Sequence, residues 1–209
     1  MAALDAAGLS DAAGLSDARN AAHGVRAGTG QGGLFPELHQ SDDGSRPRPP
    51  VAEPLAEKMV ALLRKAGYEV VFPENMERLC CDTIWESKGM LDIADRKSAE
   101  LEAALWKASE QGRYPVLCDQ SPCLHRMRET IHKMKLYEPT EFIYTFLRTR
   151  LVFTPTDRPV AVHITCSMRK MGLAGTITAL ARLCSSKVII PEEVGCCGFA
   201  GDRGFTYPE

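Results

Sequence analysis

Two pairs of adjacent cysteines, Cys80-Cys81 and Cys196-Cys197, stand in a chain that also carries Cys118, Cys123 and Cys166. Thiolates are soft ligands that select iron-sulfur clusters, zinc or copper. Structural zinc sites normally come as two C-x2-C knuckles, a spacing this chain lacks. Two cysteines in direct succession are expected to point their side chains apart, which suits a centre of several iron atoms better than one tetrahedral ion. The chain holds eight cysteines and opens without a charged start followed by an apolar run, so they read as metal or redox groups rather than a disulfide framework. Structural zinc, or thiols that stay empty in an interaction module, are the competing readings.

The elements that must position these thiols alternate between helix and strand. Leu55, Met59, Leu62, Leu63 and Ala66 recur at helical spacing behind Pro54, and Gly67 stops that helix. Tyr68 to Phe72 reads as a strand, and Pro73-Glu74-Asn75 turns the chain toward Cys80. Asp92 to Gln111 reads as a long helix closed by Gly112. Tyr114 to Leu117 is a strand that delivers Cys118, and Cys123 leads into a helix over Leu124 to Met134. Helices follow at Glu141 to Arg150 and Met168 to Leu183, with strands at Val160 to Ile164, ahead of Cys166, and at Lys187 to Ile190. The fold class predicted is α/β, a mostly parallel sheet flanked by helices, with ligands at the carboxyl ends of the strands.

Ala61 to Glu74 also aligns with Ala179 to Glu192 without a gap. Arg64 meets Arg182, Val70-Val71-Phe72-Pro73-Glu74 meets Val188-Ile189-Ile190-Pro191-Glu192, and a cysteine pair follows both. The fold is therefore expected to contain two pseudo-symmetric repeats.

Residues 1–50 differ from the rest. They contain the duplication DAAGLSDAAGLSDA, the stretch GTGQGG and the stretch SDDGSRPRPP, and they lack a cysteine. Such composition cannot bury enough apolar surface to offset the entropy of ordering it, so the segment is expected to be disordered. The remainder, 51–209, reads as one cysteine-rich domain. A net charge of -2 argues against a general nucleic-acid binder, and no apolar run is long enough for a transmembrane span. The expected compartment is the cytoplasm.

The stretches VVFPENMERLCCDTIWESKG, YPVLCDQSPCLHRM, VHITCSMRKMG and GCCGFAGDRGFTYPE resemble the cysteine-rich CCG domains of heterodisulfide reductase B-type subunits and of their relatives in lactate, glycolate and glycerol-3-phosphate oxidation. They look most like the C-terminal iron-sulfur portion of bacterial FAD-linked D-lactate dehydrogenases. The resemblance covers Pro54 to Glu209. It implies metal ligation by Cys80, Cys81, Cys118 and Cys123 in a first repeat and by Cys166, Cys196 and Cys197 in a second, with a 4Fe-4S cluster as the group held. It further implies electron transfer from a flavin toward a quinone or cytochrome. The implied partners are an FAD-binding dehydrogenase domain, which supplies the FAD and the hydride chemistry, and an electron acceptor, with a place in the cytoplasm or at the inner-membrane surface.

Three departures stand against the family pattern. The single cysteine ahead of Cys80 is missing, Asp82 replaces the usual glycine, and the chain ends before a second closing pair. Each repeat reads as incomplete, so the chain is expected to be a piece of a longer enzyme with residues 1–50 read from another frame, unable to oxidise lactate alone. Cys184, Trp85 and Trp106 read as core residues, His163 as structural, and His125 as a helix-surface group. The loop Gly198 to Gly204 lacks the lysine and helix of a phosphate cradle.

Overall fold

The computed structural model describes residues 24–27 and 55–192. The first helix, α1 (Leu55–Lys65), turns Leu63 fully inward and leaves its charged residues out. Gly67, at φ 83, reverses the chain, and the amide of Tyr68 donates back to Leu63 O at 3.0 Å. Strand β2 (Glu69–Val71) follows and passes into a single 3-10 turn at Met76–Arg78. The short helix α2 (Thr83–Glu86) and the long helix α3 (Leu91–Ala108) carry the chain back.

Beyond α3, Glu110, Gln111 and Gly112 all take positive φ. Gly112 is required there: a Cβ would stand 3.0 Å from Trp106 Cζ3 and 3.1 Å from the Lys133 carbonyl oxygen. Strand β3 (Val116–Leu117), helix α4 (Ser121–Thr130) and strand β4 (Leu136–Tyr137) complete this half. Helix α5 (Pro139–Phe142) then starts on a capping box. Glu138 accepts from the amides of Thr140 and Glu141, and Glu141 accepts from the amide of Glu138. It runs into a π-helical turn over Ile143–Leu147.

The four strands pair in parallel in the order β2-β1-β3-β4, where β1 is Gly24–Ala27. The expectation of disorder over residues 1–50 falls outside the described residues except at these four, which pair as β1. A short strand between two parallel neighbours has its backbone groups paired on both sides, and composition does not register pairing with partners so distant in sequence.

Alternation along β3 assigns the two faces. Val116 enters an apolar layer with Leu101, Leu105, Leu124, Met127, Ile131 and Leu136, under α3 and α4. Leu117 enters the opposite layer with Leu63, Tyr68, Phe142, Phe146 and Leu147, under α1 and α5. In that second layer Tyr68 and Tyr137 each meet Phe142 edge-on, with centroids 5.6 and 5.9 Å apart.

Residues 160–189 form a separate two-stranded parallel sheet, β5 (Val160–Ala161) with β6 (Val188–Ile189). The single helix expected over Met168 to Leu183 is two, α6 (Cys166–Lys170) and α7 (Ala174–Cys184). Gly172 at φ 73 breaks the path between them. Ser185 anchors the small sheet, donating to Arg158 O at 2.8 Å and accepting from the Lys187 amide at 3.0 Å. Mixed helix and parallel strand therefore stand as expected, but in two sheets rather than one. Among the described residues no helix is long and apolar enough to cross a membrane.

Candidate metal centre

Cys118 follows β3 directly, one pleat beyond Val116 and on the same face, so the strand delivers its thiol to the layer under α3 and α4, fully buried. Cys123 sits in the first turn of α4, packed against that layer. Cys80 and Cys81 occupy the irregular segment between the 3-10 turn and α2, past the carboxyl end of β2. Cys81 is buried and Cys80 half-buried. Four thiols from three segments thus converge beside the carboxyl ends of two strands.

Their electrostatics show the contact. The Cys81 thiol is held well below the usual range, because the Cys123 and Cys80 thiols hydrogen-bond to its sulfur against the opposing effect of burial. The Thr83 hydroxyl lies 3.4 Å from the same sulfur. Cys123 and Cys80 are both driven up, first by hydrogen bonding to Cys81 and then by burial, and the charge of Cys118 adds to the shift at Cys123. The arrangement sets one lowered thiol among two raised ones, and soft metal ions replace thiol protons on binding.

Adjacent Cys80 and Cys81 were expected to point apart, yet their side chains meet. The reason is local: Leu79 is extended and Asp82 left-handed at φ 65, so the pair lies on a bend rather than in a pleated strand. Among the described residues no three His, Cys, Asp or Glu side chains enclose a point suited to a single metal ion. An all-sulfur donor set suits a soft metal ion or a thiolate-bound cluster. Cys80, Cys81, Cys118 and Cys123 would hold that group.

Two carboxylates stand beside the thiols. Asp82 is buried and bound to Arg126, Nε to Oδ1, at 2.5 Å. Burial drives its carboxyl up and Arg126 opposes the shift. Asp119, next to Cys118, is likewise raised by burial, and its Oδ1 is buried without a hydrogen-bond partner. Arg126 escaped the sequence reading, since nothing in the spacing ties it to Asp82. The signal that was present is Asp82 itself, an aspartate where the resemblance places glycine.

The remaining cysteines are apart. Cys166 is the first residue of α6, exposed, on a turn capped by Thr165, whose hydroxyl accepts from the Met168 amide at 3.3 Å. Cys196 and Cys197 lie outside the described residues, as does the loop Gly198 to Gly204. Cys184 ends α7 and is exposed, which corrects its reading as a core residue. That helix buries none of its residues. His163 is exposed, and His125 stands 3.7 Å from Glu129 on the surface of α4. Trp85 and Trp106 are half-buried, and Trp106 packs against the layer that holds the thiols.

Residues 160–208 match the CCG cysteine-rich domain family. The match covers the segment containing Cys166, Cys196 and Cys197. Domains of this kind are typical of iron-sulfur electron-transfer subunits. No curated protein and no solved structure matches the chain.

Proposed function

We propose, from the CCG cysteine-rich domain at residues 160–208 and the gathered thiols ahead of it, that the chain is the iron-sulfur electron-transfer part of a flavin-linked D-lactate or related 2-hydroxy acid dehydrogenase. The observation that carries the reading is the buried layer that holds Cys81 and Cys118, with Cys123 packed against it and Cys80 next in sequence. A cluster bound there would supply a one-electron site between a flavin and a quinone or cytochrome. The chain's own residues bind it through sulfur, keep bulk water from Cys81 and Cys118, and place both at strand ends where a partner domain has access.

The second ligand set, Cys166, Cys196 and Cys197, belongs to the same proposal as a related repeat. Helix followed by strand leads toward each cysteine pair, α1 to β2 in one case and α7 to β6 in the other. The FAD-binding domain and the cytoplasmic or inner-membrane setting are parts of this reading that rest on the sequence resemblance.

Anaerobic purification followed by iron, acid-labile sulfide and zinc analysis tests it. About four irons with matching sulfide per thiol set support the cluster. Zinc alone, or no metal after reconstitution with iron and sulfide, overturns it. Reduction of the loaded chain by D-lactate in the presence of a flavin-linked dehydrogenase domain tests the substrate assignment.

A further inference from the structure

Asp82 makes the turn that follows the cysteine pair in a backbone region, φ 65 and ψ -14, that favours glycine. An aspartate in this conformation is tolerated, and a glycine would adopt it freely. What the aspartate adds is a tether. Its side chain is 1% exposed, and its Oδ1 accepts from Arg126 Nε, on a side chain 18% exposed. Arg126 lies three residues after Cys123 on α4, hence on the same side of the helix. The ion pair therefore joins the segment bearing Cys80 and Cys81 to the helix bearing Cys123, where Cys123 packs against the layer that holds Cys81. Glu129, 3.7 Å from Arg126 Nη1, and the nearby charge of Glu86 complete the surroundings of the guanidinium. The Asp82 side chain is almost wholly buried, with the Ser98 hydroxyl also directed to it, so the pair is not merely a well-solvated surface bridge.

The geometry points to Asp82 and Arg126 as a clamp: positioning residues that hold Cys81 against Cys123 before any metal arrives. The inference rests on the reading of these cysteines as ligands. The clamp touches no reacting atom. It acts by fixing the separation of two ligand-bearing segments, since the cysteine pair follows β2 and Cys123 lies in the first turn of α4.

The test uses the full chain, reduced and metal-free, with Arg126→Leu, Asp82→Gly, Asp82→Asn and the double variant Asp82→Gly/Arg126→Leu. Alkylation of Cys81 by iodoacetamide is followed by peptide mass spectrometry against exposed Cys184 as the internal reference, with thermal unfolding in parallel. Loss of a buried charged hydrogen bond opens the segment, so alkylation of Cys81 is expected to rise about tenfold in Asp82→Gly and in the double variant. Asp82→Asn keeps an acceptor for the guanidinium and stays near wild type. The double variant removes both charges and recovers thermal stability relative to Arg126→Leu, yet keeps the fast alkylation. Cys81 protection equal to wild type in both Asp82→Gly and the double variant overturns the clamp. Iron uptake by the wild type is measured separately: its absence removes the cluster reading and leaves the alkylation contrast to decide the clamp alone.

Discussion

Cys123, in the first turn of α4, packs against the buried layer that contains Cys81, so a helix and an irregular segment far apart in sequence meet there. Cys118 lies in the same layer, and Cys80 stands half-buried beside Cys81.

Cys81→Ser is expected to abolish iron retention after anaerobic reconstitution, whereas Cys184→Ser leaves iron content unchanged. Cys184 is exposed at the end of α7 and takes no part in the thiol set. Iron and sulfide analysis of the two variants checks the contrast.

The thiol shifts give the metal-free protein a signed dependence on pH. Cys81 titrates below its unfolded value, so it adds stability that is fully present above an unfolded thiol pKa of about 8.5 and is lost as pH falls through its own depressed pKa. Cys80 and Cys123 titrate above theirs, so their contribution is fully present below about 8.5 and is lost as pH rises toward their raised values. Thermal melts of the reduced apoprotein should rise from mildly acidic pH to the thiol range and fall beyond it. Cys81→Ser should flatten the rise.

Gly112→Ala places a methyl group 3.0 Å from Trp106 and 3.1 Å from a carbonyl oxygen, at φ 79. A left-handed conformation alone costs about 1–2 kcal/mol for a residue with a Cβ. Denaturant unfolding should show a loss of at least that size, with Trp106 fluorescence altered.

Glu138→Ala removes the acceptor that satisfies the first amides of α5. Loss of a helix N-cap costs about 0.5–2 kcal/mol. The melt should shift down accordingly, and iron retention in a reconstituted sample should fall with it, because the Glu138 carboxylate also accepts from the Ser121 hydroxyl two residues before Cys123.

The sequence pattern made α1, β2, α3, β3 and α4 legible because each combines an apolar period with a stop signal such as Gly67 or Gly112. The burial of Cys118 directly after β3 follows from its place at a strand end. Strand β4 was missed because two residues, Leu136 and Tyr137, carry no period of their own and are ordered by pairing with β3. The strand at Gly24–Ala27 was hidden for the same reason. The Asp82–Arg126 pair was invisible because an ion pair across a long loop leaves no mark in local spacing.

Strand β3 divides its two residues between the two apolar layers, Val116 to the one that holds the sulfurs and Leu117 to the aromatic one. The layers are also joined across their helices, where Arg128 of α4 meets Glu141 of α5 at 2.6 Å and the Ser121 hydroxyl donates to Glu138 at 3.5 Å. The aromatic side therefore steadies the helix that bears Cys123, and amide exchange should show α4 and α5 opening together.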